Sequence, residues 1–158
     1  IFISFLSRIA KQTKTTIDTL DYSGEGLNEG SKLILAAAGE VKRKLTSNAA
    51  LVRLPNGFSN AKMVSLGNLV IQGSGKIIDL ISFLEAQELD GLALITVVDD
   101  SIFSSESFSN WLWVTFTRSN PAVDIYGLHS ETINKHFSCT LPIIDARIKS
   151  HHAPVLKR

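Results

Sequence analysis

Cysteine is nearly absent from this sequence: of 158 residues one, Cys139, carries a thiol. No disulfide can close within the chain, which points to a reducing compartment. A thiol nucleophile needs a depressed pKa, a property of surroundings that sequence does not show, so Cys139 reads as a buried or incidental thiol. Net charge is nearly absent too, at +1, and a nucleic-acid partner normally requires a concentrated basic face. The best local candidate, "VKRKL" at residues 41–45, reads as solvated charge. Long apolar runs are missing as well. None approaches the roughly 20 residues that span a bilayer, so no transmembrane segment is expected. "IFISFL" at the start lacks the basic lead and small-residue cleavage site of a secretory leader. There is no internal repeat and no low-complexity tract. The chain begins with Ile1 rather than Met, which suggests a piece of a longer protein or a missing start.

What is present suits one α/β domain with a sizeable core. Phe2, Phe5, Leu6, Ile9, Ala10, Ile17 and Leu20 fall mostly at helical spacing, predicting one amphipathic N-terminal helix. "YSGEGLNEG" breaks it with three glycines. The division that follows is residues 1–23 as helix and start of a linker, and residues 24–158 as the α/β domain. Such an arm, with its apolar stripe, suggests self-association or docking. "KLILAAAG" (residues 32–39) reads as a doubly buried strand. "LPNGFSNAK" reads as turn chemistry, and residues 63–66 and 69–72 as two short strands. "KIIDLISFLEAQELDG" carries a broad helical face from Ile77 to Leu89 before Gly91.

"LALITVVDD" is the strongest strand, β-branched at Ile95, Thr96, Val97 and Val98. It is expected at the centre of the sheet, with Asp99 at its carboxyl edge. "SSESFSNWLWVTFTRSN" predicts one helix capped by Ser104 or Ser105, with Glu106 in its first turn. Trp111 and Trp113, two apart, must point differently; one is expected in the core. Pro121 ends the helix, and "AVDIYG" and "LPIIDARI" are the remaining strands. Apolar strands alternating with helices predict a three-layer α/β/α sandwich around a largely parallel or mixed sheet.

Few constellations carry chemistry. "VIQGSGKI" has the strand–glycine–lysine–helix order of a phosphate loop, but Val70 and Ile77 stand where a glycine and a Ser or Thr are required. A tight turn is the better reading. Asp99 and Asp100 end the central strand, where α/β sheets place ligands. They suit Mg²⁺ or, as the preferred reading, turn capping. His151 and His152 are adjacent, so their side chains diverge; His129 and His136 are further candidates for zinc without a ligand spacing to support them. No catalytic, cofactor-binding or metal-binding residue is assigned. Arg118 is expected to pair with an acidic side chain or a carbonyl at its helix end.

Taken in order, "GSKLILAAAGE", "LPNGFSNAKMVSLGNLVIQG", "LITVVDDSIFSSESFSNWLWVTFTRSNPAVDIYG" and "PIIDARIKSHHAP" resemble the C-terminal part of UbiD-like decarboxylases, the 3-polyprenyl-4-hydroxybenzoate decarboxylase family. The shared pattern is a strand ending in an acidic pair, a helix with a Trp and a Thr117–Arg118 step, then Pro121 and Asp124 before a strand, and a final strand ending Ile144–Asp145–Ala146. The family more often continues with Thr where this chain has Arg147. The resemblance implies a cytoplasmic, oligomeric carboxy-lyase, acting non-oxidatively on aromatic or unsaturated acids, in quinone synthesis or on another aromatic acid. It implies prenylated FMN with a divalent metal in an upstream flavin-binding domain, and no cofactor in this chain. The catalytic arginine and glutamates of the family lie in that upstream part, so none is carried over. Asp99, Arg118, Asp124, Asp145 and Arg147 are left to fix turns and pair charges. The residues leave two other readings open: a small metal-dependent enzyme using Asp99 and Asp100, and an unrelated binding domain.

Overall fold

The structure, a computed structural model, describes residues 15–17, 40, 44–133 and 136–150. Its frame is a five-stranded mixed sheet built from β2 (Phe58–Ser65), β3 (Asn68–Gly73), β4 (Leu94–Val98), β5 (Ile125–Leu128) and β8 (Leu141–Asp145). Their order across the sheet is β2-β3-β4-β8-β5. β4 is parallel to both β3 and β8, while the flanking strands β2 and β5 pair antiparallel. The parallel part of the expectation therefore holds for the three inner strands. All five residues of β4 and all five of β8 are buried, as an apolar run covered on both faces must be.

The helices are α1 (Ile77–Leu84), α2 (Ser101–Glu106) and α3 (Phe108–Arg118). Successive side chains along a strand point to opposite faces, and the apolar contacts divide accordingly. Leu69, Ile71, Ile95, Val97 and Ile143 pack with Ile77, Leu80 and Leu84 of α1. Val70, Leu94, Val98 and Ile144 pack with Trp111 and Val114 of α3. Trp111 is 1% exposed, and its indole N–H donates to Thr96 Oγ1 at 3.0 Å, inside the core. Trp113 is half-buried at the edge of the same cluster.

Several local expectations are corrected. The single helix expected over residues 104–118 is two, because Ser107 is extended (φ −151°, ψ 156°) and caps α3 by accepting from Asn110 N at 3.1 Å. The preceding helix, α2, is capped by Asp100, which accepts from Phe103 N at 3.0 Å. Ser104 and Ser105, expected as caps, sit inside α2. α1 stops at Leu84 and does not run on to Leu89. Gln87 N closes a turn onto Leu84 O, and the Gln87 side chain pairs with both the N–H and the carbonyl of Arg53, each at 3.0 Å. The same amide also donates to Phe83 O, a carbonyl of the last turn of α1, at 3.3 Å. β2 begins at Phe58, inside the stretch expected as turn; the turn itself is Asn56–Gly57. Its two bulges break the alternation that would have marked a strand.

Three further strands, β1 (Thr15–Ile17), β6 (Glu131–Ile133) and β7 (His136–Cys139), form a small antiparallel sheet with β7 in the middle. Thr15–Ile17 falls within the stretch expected as an amphipathic helix and is a strand. The rest of that helix, "KLILAAAG", His151 and His152 lie outside the described residues. No helix among the described residues is long and apolar enough to cross a membrane.

Candidate functional site

The carboxyl ends of β3, β4 and β8 meet at one edge of the sheet, and charged residues collect there in opposite-sign pairs. Asp99, just past β4, faces Arg118 at the end of α3, with Arg118 Nη1 3.3 Å from Asp99 Oδ2. The same oxygen accepts the backbone N–H of Ile148 at 2.9 Å. Asp145 ends β8, and Arg147 grips it with two bonds, Nε to Oδ1 at 2.8 Å and Nη2 to Oδ2 at 2.7 Å. Such a fork is the strongest carboxylate geometry a protein offers. Asp124, in the turn before β5, holds Asn120 N at 2.7 Å and faces Lys149 Nζ at 3.3 Å. Lys149 Nζ also donates to the carbonyls of Asp145, Arg118 and Arg147 at 2.7, 3.3 and 3.3 Å.

Each of the five polar residues singled out in the sequence therefore pairs with an opposite charge. The sixth member, Lys149, was missed. The alternation Asp145, Arg147, Lys149 was its available signal: charges at every second position place the side chains on one side of an extended segment.

Burial and pairing shape the titration of Asp145 and Arg147. For Asp145 burial is the largest single influence and pushes its carboxyl up. The hydrogen bonds from Arg147, with the charges of Lys149 and Arg147, outweigh it and hold the group below the ordinary carboxylate value. Arg147 is raised in turn, first by its hydrogen bond to Asp145. Tyr126 beside them is raised by burial, then by the charges of Asp145 and Asp124. Cys139 is buried, and burial pushes its thiol up to about 12, the opposite of what a nucleophile needs.

A cleft of about 410 Å³ opens beside this cluster, lined by Phe58, Ser59, Gln72, Gly73, Ser74 and Asp99. It sits at the carboxyl ends of two parallel strands, the place where such sheets bind ligands. Its wall is tightly built. A Cβ on Gly73 would run into the Phe58 ring, and one on Gly75 would stand 2.6 Å from it. Arg147 Nη1 reaches across to Gly75 O at 2.7 Å and so staples the glycine loop to the end of β8.

In the glycine loop, the N–H groups of Ser74 and Gly75 both donate to Gly57 O, at 2.9 and 3.2 Å. Those donors are used inside the fold, as a tight turn uses them, and do not form a phosphate cradle. Asp99 and Asp100 diverge, one to Arg118 and Ile148 and the other to the start of α2. No group of three or more His, Cys, Asp or Glu able to hold a metal occurs among the described residues. Of the residues lining the cleft, Asp99 is the ionisable one, and its sign opposes a flavin phosphate. These residues do not fit a prenylated FMN with its divalent ion.

The arrangement defines an α/β domain whose carboxyl edge is closed by ion pairs. The chain is 32% identical over 146 residues to a Chlamydia pneumoniae protein whose name makes it a subunit of 4-hydroxybenzoate decarboxylase; the match covers 87% of this chain and 24% of that protein. It is 35% identical over 132 residues to an uncharacterized protein of Chlamydia trachomatis serovar D, covering 84% of the chain and 23% of that protein. A Chlamydia muridarum protein, also uncharacterized, matches at 35% over 130 residues, covering 82% and 22%. The chain thus spans about a quarter of the length of the curated relatives it matches. No family model matches the chain, and no solved structure matches it significantly.

Proposed function

We propose that this chain is the C-terminal supporting domain of a UbiD-like decarboxylase and is not catalytic alone. The observation that carries the reading is the match of 87% of the chain to about a quarter of a protein named for decarboxylation of 4-hydroxybenzoate. The pairing at the carboxyl edge supports it. General acid–base work requires a carboxylate positioned and available at a substrate pocket, and Asp124 and Asp145 are held by cations while buried. In this reading the edge is a rigid strut: Arg147 and Lys149 tie the ends of α3, β8 and the glycine loop together.

The finer parts belong to the same proposal. α1 on one face of the sheet, with α2 and α3 on the other, makes a three-layer α/β/α sandwich, the core of an α/β domain assigned to residues 24–158. The partner of this chain is an upstream flavin-binding domain of the parent. The parent is a cytoplasmic homo-oligomer that decarboxylates aromatic or unsaturated acids with prenylated FMN and a divalent metal, in quinone synthesis or on a related aromatic acid.

The test is to titrate the chain with flavin cofactor and Mn²⁺, then assay CO₂ release from aromatic acids, beside the parent-length protein. The expected result is cofactor binding and turnover by the parent and neither by the chain. Stoichiometric flavin binding by the chain, or turnover abolished by Asp99→Asn, would make it a catalytic domain and overturn the assignment. A parent without CO₂ release would remove the decarboxylase reading itself.

A further inference from the structure

Lys149 has more acceptors around it than its protons can serve. Its Nζ donates to the carbonyl of Asp145 at 2.7 Å and to those of Arg118 and Arg147 at 3.3 Å each. Asp124 Oδ1 also lies 3.3 Å from it, and Asp145 Oδ1 3.9 Å. An ammonium carries three protons. Four oxygens therefore stand within hydrogen-bond reach of three donors, with a fifth just behind.

These oxygens come from separate elements: the end of β8, the segment after it, the last turn of α3 and the turn before β5. The Arg118 carbonyl is one of those a helix C-terminus leaves without an internal partner, where partial negative charge collects. Asp124 and Asp145 are 4% and 5% exposed, so the oxygens are largely shielded from water. Arg147 already neutralises Asp145 through its fork. The charge left over is the single one of Asp124.

Backbone carbonyls and a carboxylate converging on one point are the ligands of a hard cation. The net charge of the ring matches one positive charge. Its contacts of 2.7–3.3 Å exceed the roughly 2.3–2.6 Å of calcium and 2.0–2.1 Å of magnesium. We infer that this ring of oxygens is a monovalent-cation site, for ammonium or a large alkali ion, which the chain fills with its own lysine. The tethered ammonium pins the segment after β8 across the ends of α3 and β5 without drawing on a dissolved ion. With a short side chain at position 149, a dissolved ion takes its place. The site does not depend on the decarboxylase assignment.

Thermal unfolding of the chain and of Lys149→Ala, in potassium, ammonium or tetramethylammonium chloride at one ionic strength, tests this; equal ionic strength makes general screening common to all three. The unmodified chain is expected to melt at the same temperature in each salt. Lys149→Ala is expected to melt lower, and potassium or ammonium to raise its Tm saturably over tetramethylammonium. The rise should be about 3–6 °C at ten times the dissociation constant. If Lys149→Ala is unfolded in tetramethylammonium, potassium or ammonium is expected to fold it, as circular dichroism would show. Lys149→Met, whose stem fills the site without charge, and Lys149→Ala/Asp124→Asn, which removes the ring's charge, are expected to lose the ion-specific rise. Absence of that rise in Lys149→Ala, an equal rise in the unmodified chain or in either control variant, or a larger rise with calcium than with potassium overturns the proposal.

Discussion

Replacing Arg147 by methionine is the sharpest probe of the ion-paired edge. The change keeps an unbranched stem of similar reach and removes the fork on Asp145 together with the bond to Gly75 O. Breaking a buried pair costs about 3–5 kcal/mol, because the remaining charge is stranded. Two features reduce that figure here. The side chains of Arg147 and Asp145 retain 17% and 7% exposure, and Lys149 Nζ remains 3.9 Å from Asp145 Oδ1. A loss of about 2–3 kcal/mol near neutral pH follows. The pH dependence separates this cause from lost packing. In the native protein the folded Asp145 value is depressed. Its stabilisation is complete above the ordinary aspartate value near 3.9, and is lost as pH falls through the lower folded value. Without Arg147, burial pushes the carboxyl up, so it takes a proton sooner and no longer needs a counter-ion. The cost of Arg147→Met should therefore shrink as pH falls from about 7 to about 3. Urea unfolding followed by tryptophan fluorescence at several pH values measures it. The double variant Asp145→Asn/Arg147→Met should recover roughly 1 kcal/mol or more relative to the single change. A cost that stays flat with pH, or a double variant as unstable as the sum of the singles, would refute the electrostatic reasoning.

Four other outcomes are expected. Trp111→Phe strands Thr96 Oγ1 in the core and should cost about 1–3 kcal/mol, read by denaturant midpoint; an unchanged midpoint contradicts the buried bond. Cys139, with its thiol raised to about 12 by burial, should resist iodoacetamide at neutral pH and react on unfolding, as mass spectrometry would show. Gly73→Ala drives a methyl into the Phe58 ring and should cost about 1–3 kcal/mol; adding Phe58→Leu should return part of it in thermal melts. Arg118→Ala, whose partner Asp99 is 39% exposed, should cost no more than about 1 kcal/mol, and a larger loss of Tm would mean Arg118 carries more than this pair.

Much of the frame was legible from residue order. The β-branched run at Ile95, Thr96, Val97 and Val98 is the sheet's centre, because a run apolar on both faces has nowhere else to go. Asp99 at its carboxyl edge, the core position of Trp111 and the acidic partner of Arg118 followed from spacing and from charge at a helix end. What the sequence concealed depended on partners distant in the chain. The first half of β2, before residue 63, was hidden by its bulges, and the turn after α1 carries a glutamine that meets Arg53 34 residues away. The break at Ser107 was unreadable because serine suits a cap and tolerates a helix interior alike. The candidate sites divide in the same way. The residue types of the charged edge could be picked out one by one. Their pairing and the staple from Arg147 to Gly75 were decided by the fold, because a hydrogen bond or an ion pair exists where two groups meet in space, and sequence specifies one group at a time.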